Sequence, residues 1–297
     1  MTAAPAIDRR SLMAMDPTLL LSGLLLVAIG LIAISSASIE YGDWHFQNAW
    51  HHTQRHLVYI VIALTAAAVV YHVPPVFWLD TGWVWLFLAL ALLILVLVPG
   101  IGKDVNGSQR WLPLGPFTLQ PSEFAKLALV IYLAGYLVRQ EHEVRNEWQG
   151  FIKPMAVLGS VALLLMVEPD FGATVIAVGT AFGMLFLAGV KLRHFLLVLA
   201  VSLLGMLGLI FSAPYRVARL TAYTDPWADP FGSGFQLIQS LIAFGRGQWF
   251  GVGLGNSVQK LFYLPEAHTD FVFSIWAEET GFIGALLVMS LYAVLVG

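Results

Sequence analysis

The segment with the densest chemistry is Leu264-Pro265-Glu266-Ala267-His268-Thr269-Asp270, which ends where an apolar run begins at Phe271. An aspartate carboxylate, with an ordinary pKa of about 3.9, is ionised at neutral pH. It can take the proton of a substrate hydroxyl as a general base. The same position suits a plain helix cap, a favoured role for Asp at an N-terminus, and spacing alone leaves both readings open. Glu266-x-His268-x-Asp270 also alternates three metal-ligand types, a weak signal without a second cluster. Upstream, Tyr215-Arg216-Val217-Ala218-Arg219-Leu220 places two arginines three apart on one helix face. Such a pair can hold a phosphate through charge-assisted hydrogen bonds or snorkel to lipid headgroups. Between these segments, Asp225-Pro226-Trp227-Ala228-Asp229-Pro230 and Gly232-Ser233-Gly234 are turn chemistry, and 235–244 reads as a short amphipathic helix. Gly245, Gly247, Gly251, Gly253 and Gly255 lack the spacing and context of a dinucleotide fingerprint.

The elements that must carry these residues are membrane spans. Of 297 residues, 59% are hydrophobic and 11% charged, against roughly 25% charged in a soluble domain, so a water-soluble globule is excluded. A net charge of -3 gives no basic surface for nucleic acid. The absence of Cys removes disulfides, thiolate nucleophiles and Cys-type zinc sites. Apolar runs at 17–36, 56–73, 82–101, 123–138, 154–167, 171–190, 194–213 and 271–297 give eight expected spans, most near the roughly 20 residues a crossing helix needs. The first is too long for a signal-peptide core and has no convincing cleavage site. The expected division is therefore a cytoplasmic tail at 1–16, seven spans at 17–213, a large extracytoplasmic loop at 214–270 and an eighth span at 271–297.

Orientation follows from Lys and Arg. With the N-terminus inside, Arg9, Arg10, Arg139, Arg145, Lys153, Lys191 and Arg193 fall on inner segments, and only Arg55, Lys103 and Arg110 on short outer loops. The ionisable residues in or bordering spans, Glu123, Lys126, Glu168, Asp170, Glu278 and Glu279, then all lie toward outer helix ends. Intramembrane charge is costly and is normally paired or functional, so the asymmetry points to chemistry at the outer surface. Glu123 and Lys126, three apart, are expected to form a structural ion pair. Glu278 and Glu279 must face different ways, one toward the loop and one toward a neighbouring helix. His45, His51, His52 and His56, near Trp44 and Trp50, fit headgroup anchors better than a metal site.

Several of these motifs together resemble the SEDS family. They are Arg219-Leu220, the Asp225 to Gln236 stretch (DPWADPFGSGFQ), Gly253-Leu254-Gly255-Asn256-Ser257-Val258-Gln259-Lys260-Leu261, the Pro265 to Phe271 stretch (PEAHTDF) and Glu278-Glu279. Arg110-Trp111, the Gln120 to Lys126 stretch (QPSEFAK) and Glu168-Pro169-Asp170 extend the likeness over nearly the whole chain. Ala267 and Ser257-Val258-Gln259-Lys260 are similar to the cell-division branch rather than the elongation branch.

The resemblance implies an all-α, polytopic membrane protein with a ten-span family core. This chain ends at Gly297 after the eighth span, so the last two helices of that core are absent from it. It implies an inverting glycosyltransferase that polymerises lipid II into β-1,4 glycan strands, working at the division septum on the outer face of the bacterial inner membrane. Asp270 falls on the family's essential Asp, as general base toward the acceptor hydroxyl. Pyrophosphate leaves as a stable anion, so one carboxylate suffices where glycoside hydrolysis calls for two. The substrate-binding candidates are Arg110, Trp111, Lys126, Arg216, Arg219, Arg246, Lys260, Glu266 and His268, with Glu123, Glu168, Asp170, Glu278 and Glu279 in support. No cofactor is certain; a divalent cation, Mg or Mn, is the one candidate to share the pyrophosphate charge. Implied partners are lipid II, undecaprenyl-pyrophosphate-linked glycan, a class B penicillin-binding protein of the FtsI transpeptidase type, the divisome regulators FtsQ, FtsL and FtsB, and membrane lipids. A lipid II flippase and a non-enzymatic divisome scaffold remain the alternatives.

Overall fold

The structure, a computed structural model, describes residues 16–105, 108–115 and 117–297; the expected tail lies outside it except for Asp16. In chain order the elements are α1 (Pro17–Phe46), α2 (His51–Tyr71), α3 (Pro75–Val96), β1 (Lys103–Val105), β2 (Ser108–Leu114), β3 (Phe117–Leu119), α4 (Pro121–Arg139), α5 (Glu141–Asn146), α6 (Trp148–Val167), α7 (Phe171–Leu187), α8 (Leu192–Phe211), α9 (Pro214–Thr224), a 3-10 turn at Pro226–Ala228, α10 (Phe235–Gly247) and α11 (Val272–Val296). Seven of these helices are long and apolar enough to cross a bilayer, and α7, at 17 residues, is the shorter eighth. The small antiparallel sheet, ordered β1-β2-β3, adds strand structure that the all-α reading did not foresee.

The chain forms two compact units. One runs over 70–209. Its core is built from residues three or four apart on facing helices: Leu86, Ala89 and Leu93 of α3, Ala125, Ala128, Leu129 and Leu133 of α4, Leu158, Val161 and Leu165 of α6, and Ala173, Ala177 and Ala181 of α7. Alanine at the contacts lets helices approach closely where lipid offers no hydrophobic drive to association. Asp170 opens α7, its Oδ1 accepting from the Ala173 N–H at 3.0 Å.

The other unit joins the start of the chain, up to residue 69, to 210–297. Asp16 caps α1 by accepting from the Thr18 N–H at 2.8 Å. The helix then continues ten residues past the apolar run, to Phe46. A tight turn leads into α2: Gln47 adopts a left-handed φ of 53°, and Asn48 folds back to within 2.9 Å of where a Cβ on Gly42 would sit. Only glycine admits that return. Helix α10 matches the amphipathic segment read at 235–244, and α9 carries Arg216. The α10 and α11 helices are linked by the buried Ser240 and Ser274 hydroxyls, 2.8 Å apart.

Helix α11 is broken at Gly281, whose φ of 72° and ψ of −169° no helix accommodates. The 248–253 loop is stitched into the break. Val252 and Gly253 donate to the carbonyls of Glu278 and Glu279, each at 3.0 Å, and Phe282 donates to the Gln248 carbonyl at 2.8 Å. Carbonyls and N–H groups released by the break are thereby satisfied, as an apolar surrounding demands. Large apolar side chains along α1, α2 and α8, such as Leu21, Val61 and Leu204, are exposed, as lipid-facing surfaces require.

Candidate active site

Asp270 sits at the end of a tight turn. Glu266 takes a left-handed φ of 56°. Its carbonyl accepts from the N–H groups of Thr269 and Phe271, both at 3.2 Å, and its Oε2 accepts from the Thr269 hydroxyl at 2.8 Å. Ala267 is buried against Ala37, Leu264 and Ile275. The His268 ring lies 4.5 Å from that of Tyr41 and 4.8 Å from that of His52. Burial holds the His268 imidazole below its ordinary pKa; Glu266 pulls it up, and His45 pushes it further down. The Asp270 side chain is exposed, with no hydrogen-bond or ion-pair partner among the described residues. The residue capping α11 is Phe271, and no side chain caps that helix. The cap reading therefore has no support in the geometry. The carboxylate is left open to a ligand.

Two buried carboxylates underlie the loop that leads to this turn. Glu278 is 0% exposed and accepts from the Ser257 hydroxyl and from the N–H groups of Val258 at 3.2 Å and Gln259 at 3.3 Å. Arg246 of α10 pairs with it at 3.2 Å. Glu279 turns the other way, its oxygens 2.7 and 2.8 Å from Ser36 Oγ of α1, and Lys260 Nζ donates to it at 2.9 Å. Lys260 also donates to Ser36 at 2.9 Å. Glu278 thus faces the loop and Arg246 of α10, while Glu279 is shared between α1, through Ser36, and the same loop, through Lys260 and the Ser257 N–H at 3.4 Å.

Lys260, expected among the anion holders, is 7% exposed and spent on Glu279; burial and pairing leave it no reach toward substrate. Arg246 is different. One nitrogen meets Glu278, while its side chain stays 45% exposed, so the rest of the guanidinium fork faces outward. Arg216 donates to the Tyr215 hydroxyl at 2.9 Å, its charge 5.3 Å from the Tyr215 ring centroid. The Arg219 side chain lies outside the described residues.

The remaining candidates belong to the 70–209 unit. Arg110 donates to the Glu168 carbonyl at 3.1 Å and to that of Pro169. It clamps the turn between α6 and α7. Trp111 is half-buried in β2, paired with Lys103 of β1. Lys126 meets Glu123 at 2.9 Å within α4, the structural pair expected of them. Asp170 is spent on its cap. Glu168 is fully buried, and neither carboxyl oxygen has a partner among the described residues. Burial and the neighbouring Asp170 push it up to about 8, against the pull of Arg110.

As a metal cage the turn does not fit. The Glu266 carboxylate holds Thr269, the His268 ring packs at a tilt against Tyr41 and His52, and no group of three or more His, Asp or Glu among the described residues has the arrangement to bind an ion. The same holds for the outer histidines: His52 packs against His268, His51 and Tyr41, and His45 stacks on Tyr41 at 4.0 Å.

A family model described as "Cell cycle protein", FtsW/RodA/SpoVE, matches residues 17–297. The chain belongs to this family. It is 53% identical over 278 residues to a protein of Pseudomonas fluorescens named "Probable peptidoglycan glycosyltransferase FtsW", covering 94% of this chain and 68% of that one. Among solved structures it superposes on one described as "Structural coordination of polymerization and crosslinking by a peptidoglycan synthase complex", with a TM-score of 0.72, 30% identity, and coverage of 95% of this chain and 76% of that one. It also superposes on the rod shape determining protein RodA of Thermus thermophilus, with a TM-score of 0.66, 25% identity, and coverage of 95% and 73%. As in these FtsW/RodA/SpoVE relatives, the architecture is polytopic and helical.

Within this family member the structure brings together Glu266, His268 and Asp270 on one turn, and Arg246, Lys260, Glu278 and Glu279 in one buried network beneath the adjoining loop. Sequence reasoning missed Ser36, Tyr41 and Ser257. Ser36 and Tyr41 find their partners Glu279 and His268 more than two hundred residues away, and Ser257 meets Glu278 only because the loop folds back on α11; none of these pairings has a sequence signal. His52 was legible as an outer imidazole but not as a contact of His268.

Proposed function

We infer that this chain is a peptidoglycan glycosyltransferase of the cell-division type, polymerising lipid II at the outer face of the bacterial inner membrane, at the septum, with Asp270 as general base. The observation that carries the reading is the open Asp270 carboxylate on a pinned turn at the start of α11, in a chain whose relatives are named for this activity. The donor is the growing strand, linked through MurNAc C1 to undecaprenyl pyrophosphate; the acceptor is the GlcNAc 4-hydroxyl of a new lipid II. Asp270 accepts the hydroxyl proton while the oxygen attacks C1 from the face opposite the leaving group. The C1–O4 bond forms, the C1–O bond to pyrophosphate breaks, and undecaprenyl pyrophosphate departs with the bonding pair. The α-linked donor becomes a β-1,4 product by inversion.

The outward part of Arg246 and the α9 arginines Arg216 and Arg219 supply charge for the pyrophosphate, with a planar fork that Lys does not match. The proposed partners are an FtsI-type class B penicillin-binding protein and the regulators FtsQ, FtsL and FtsB. The deciding measurement is glycan polymerisation from purified lipid II by the full-length protein with its partner. Asp270→Asn is expected to lose at least about a hundredfold, since general-base catalysis is worth about 10² to 10⁴. Retention of a tenth of the rate sinks the base assignment. Lipid II translocation in sealed vesicles that survives Asp270→Asn, with no glycan made by any form, favours a flippase instead.

A further inference from the structure

The open Asp270 carboxylate has no partner among the described residues, so its placement is inherited from the turn that carries it. That turn is anchored at two points. Ala267 is a single methyl in the Ala37, Leu264 and Ile275 core; it fixes depth but offers nothing to resist rotation. The second anchor is a flat ring. His268, two residues before Asp270, rests against Tyr41 at 4.5 Å and His52 at 4.8 Å, and these two rings lie 5.5 Å apart, so the three touch one another. Tyr41 comes from the last turns of α1 and His52 from the first turn of α2. They meet because the chain reverses over Gly42, with the Asn48 side chain accepting from the Trp50 N–H at 3.0 Å to close the turn. His52 Nε2 is buried with no hydrogen-bond partner among the described residues, so ring packing is what this imidazole supplies to the turn.

We propose that Tyr41 and His52 are positioning residues for Asp270, acting through the ring of His268. The proposal rests on the reading of Asp270 as the base. A displacement of about 1 Å at a reacting group costs as much as a hundredfold in rate, and removing a ring from this triad frees the turn to move on that scale. Binding of lipid II through other contacts is untouched, so the loss belongs in kcat.

The test is lipid II polymerisation by the full-length protein with its partner, comparing Tyr41→Ala, His52→Ala, Tyr41→Phe and His52→Phe, with Asp270→Asn in parallel. Each Ala variant is expected to lower kcat about tenfold or more with KM for lipid II changed less than twofold, and each Phe variant to restore most of the lost rate. Ala variants at full kcat, Phe variants as slow as Ala, or a loss confined to KM overturns the proposal. If the Ala variants fail to enter the membrane, Tyr41→Leu, which fills space without a flat face, decides in their place: a wild-type kcat there overturns it. An inactive Asp270→Asn beside a fully active Tyr41→Ala rejects positioning alone. An active Asp270→Asn rejects the base and the positioning together.

Discussion

At the scale of single residues, function divides between a carboxylate left free and carboxylates that are fully engaged. Asp270 was legible in the sequence because an acid at the mouth of a span is conspicuous; its exposure and lack of a cap bond were not, since both depend on how the turn folds. Lys260 shows the opposite limit. A lysine near an active turn reads as a phosphate ligand until a glutamate on α11 and a serine on α1 are found to hold it. Lys260→Met is therefore expected to act on stability, by about 3 to 5 kcal/mol, because it strands the Glu279 charge in a buried site. Adding Glu279→Gln should recover much of that loss. Thermal unfolding of the detergent-purified protein measures both, and a stable Lys260→Met variant with only a raised KM for lipid II would return the lysine to the substrate site.

At the scale of elements, the apolar runs located the spans but not their ends. Apolarity records where a helix meets lipid, and α1 continues through Glu40 and Asp43 to Phe46 because nothing in that stretch stops a helix. The break in α11 was likewise hidden, since Gly281 resembles any glycine in a span. Its role follows from geometry: a Cβ there would lie 2.4 Å from the Gly251 nitrogen, on a residue already at φ 72°. Gly281→Ala is expected to expel the 248–253 loop and to cost more than the roughly 1 to 3 kcal/mol of backbone strain alone. Unchanged thermal stability would show that the break is incidental. The turn between α6 and α7 carries a pH signature. Glu168, pushed up to about 8, keeps its proton in the folded chain while the unfolded chain releases it near 4.5. The folded state then binds more protons across that interval, so stability falls as pH rises from about 4.5 to 8. Glu168→Gln should flatten the trend and raise the melting temperature most at the alkaline end; an unaltered pH profile refutes a buried neutral carboxyl.

At the scale of the whole molecule, orientation decides whether the Asp270 turn meets substrate, and the Cys-free chain makes it measurable. Cysteines at Ser233 and Asn256, both exposed, should react with an impermeant thiol reagent from outside intact cells, and one at His142 should not. Ser257 lies in the same loop but is buried, so a cysteine there reports packing instead of sidedness. The reverse labelling pattern would place the turn in the cytoplasm and end the glycosyltransferase reading. The link between Ser36 and Glu279 spans 243 residues, and this gives the polar network a place in time. Synthesis delivers α1 well before α11, at about 5 to 20 residues per second. For tens of seconds Ser36 waits in the bilayer without its partners. Once Lys260 and the two glutamates arrive, they can enter the apolar interior only together with it. Closure of α1 on α11 is then a concerted event that waits for α11, and a chain stalled before α11 holds an unfinished seam open to the membrane's quality control.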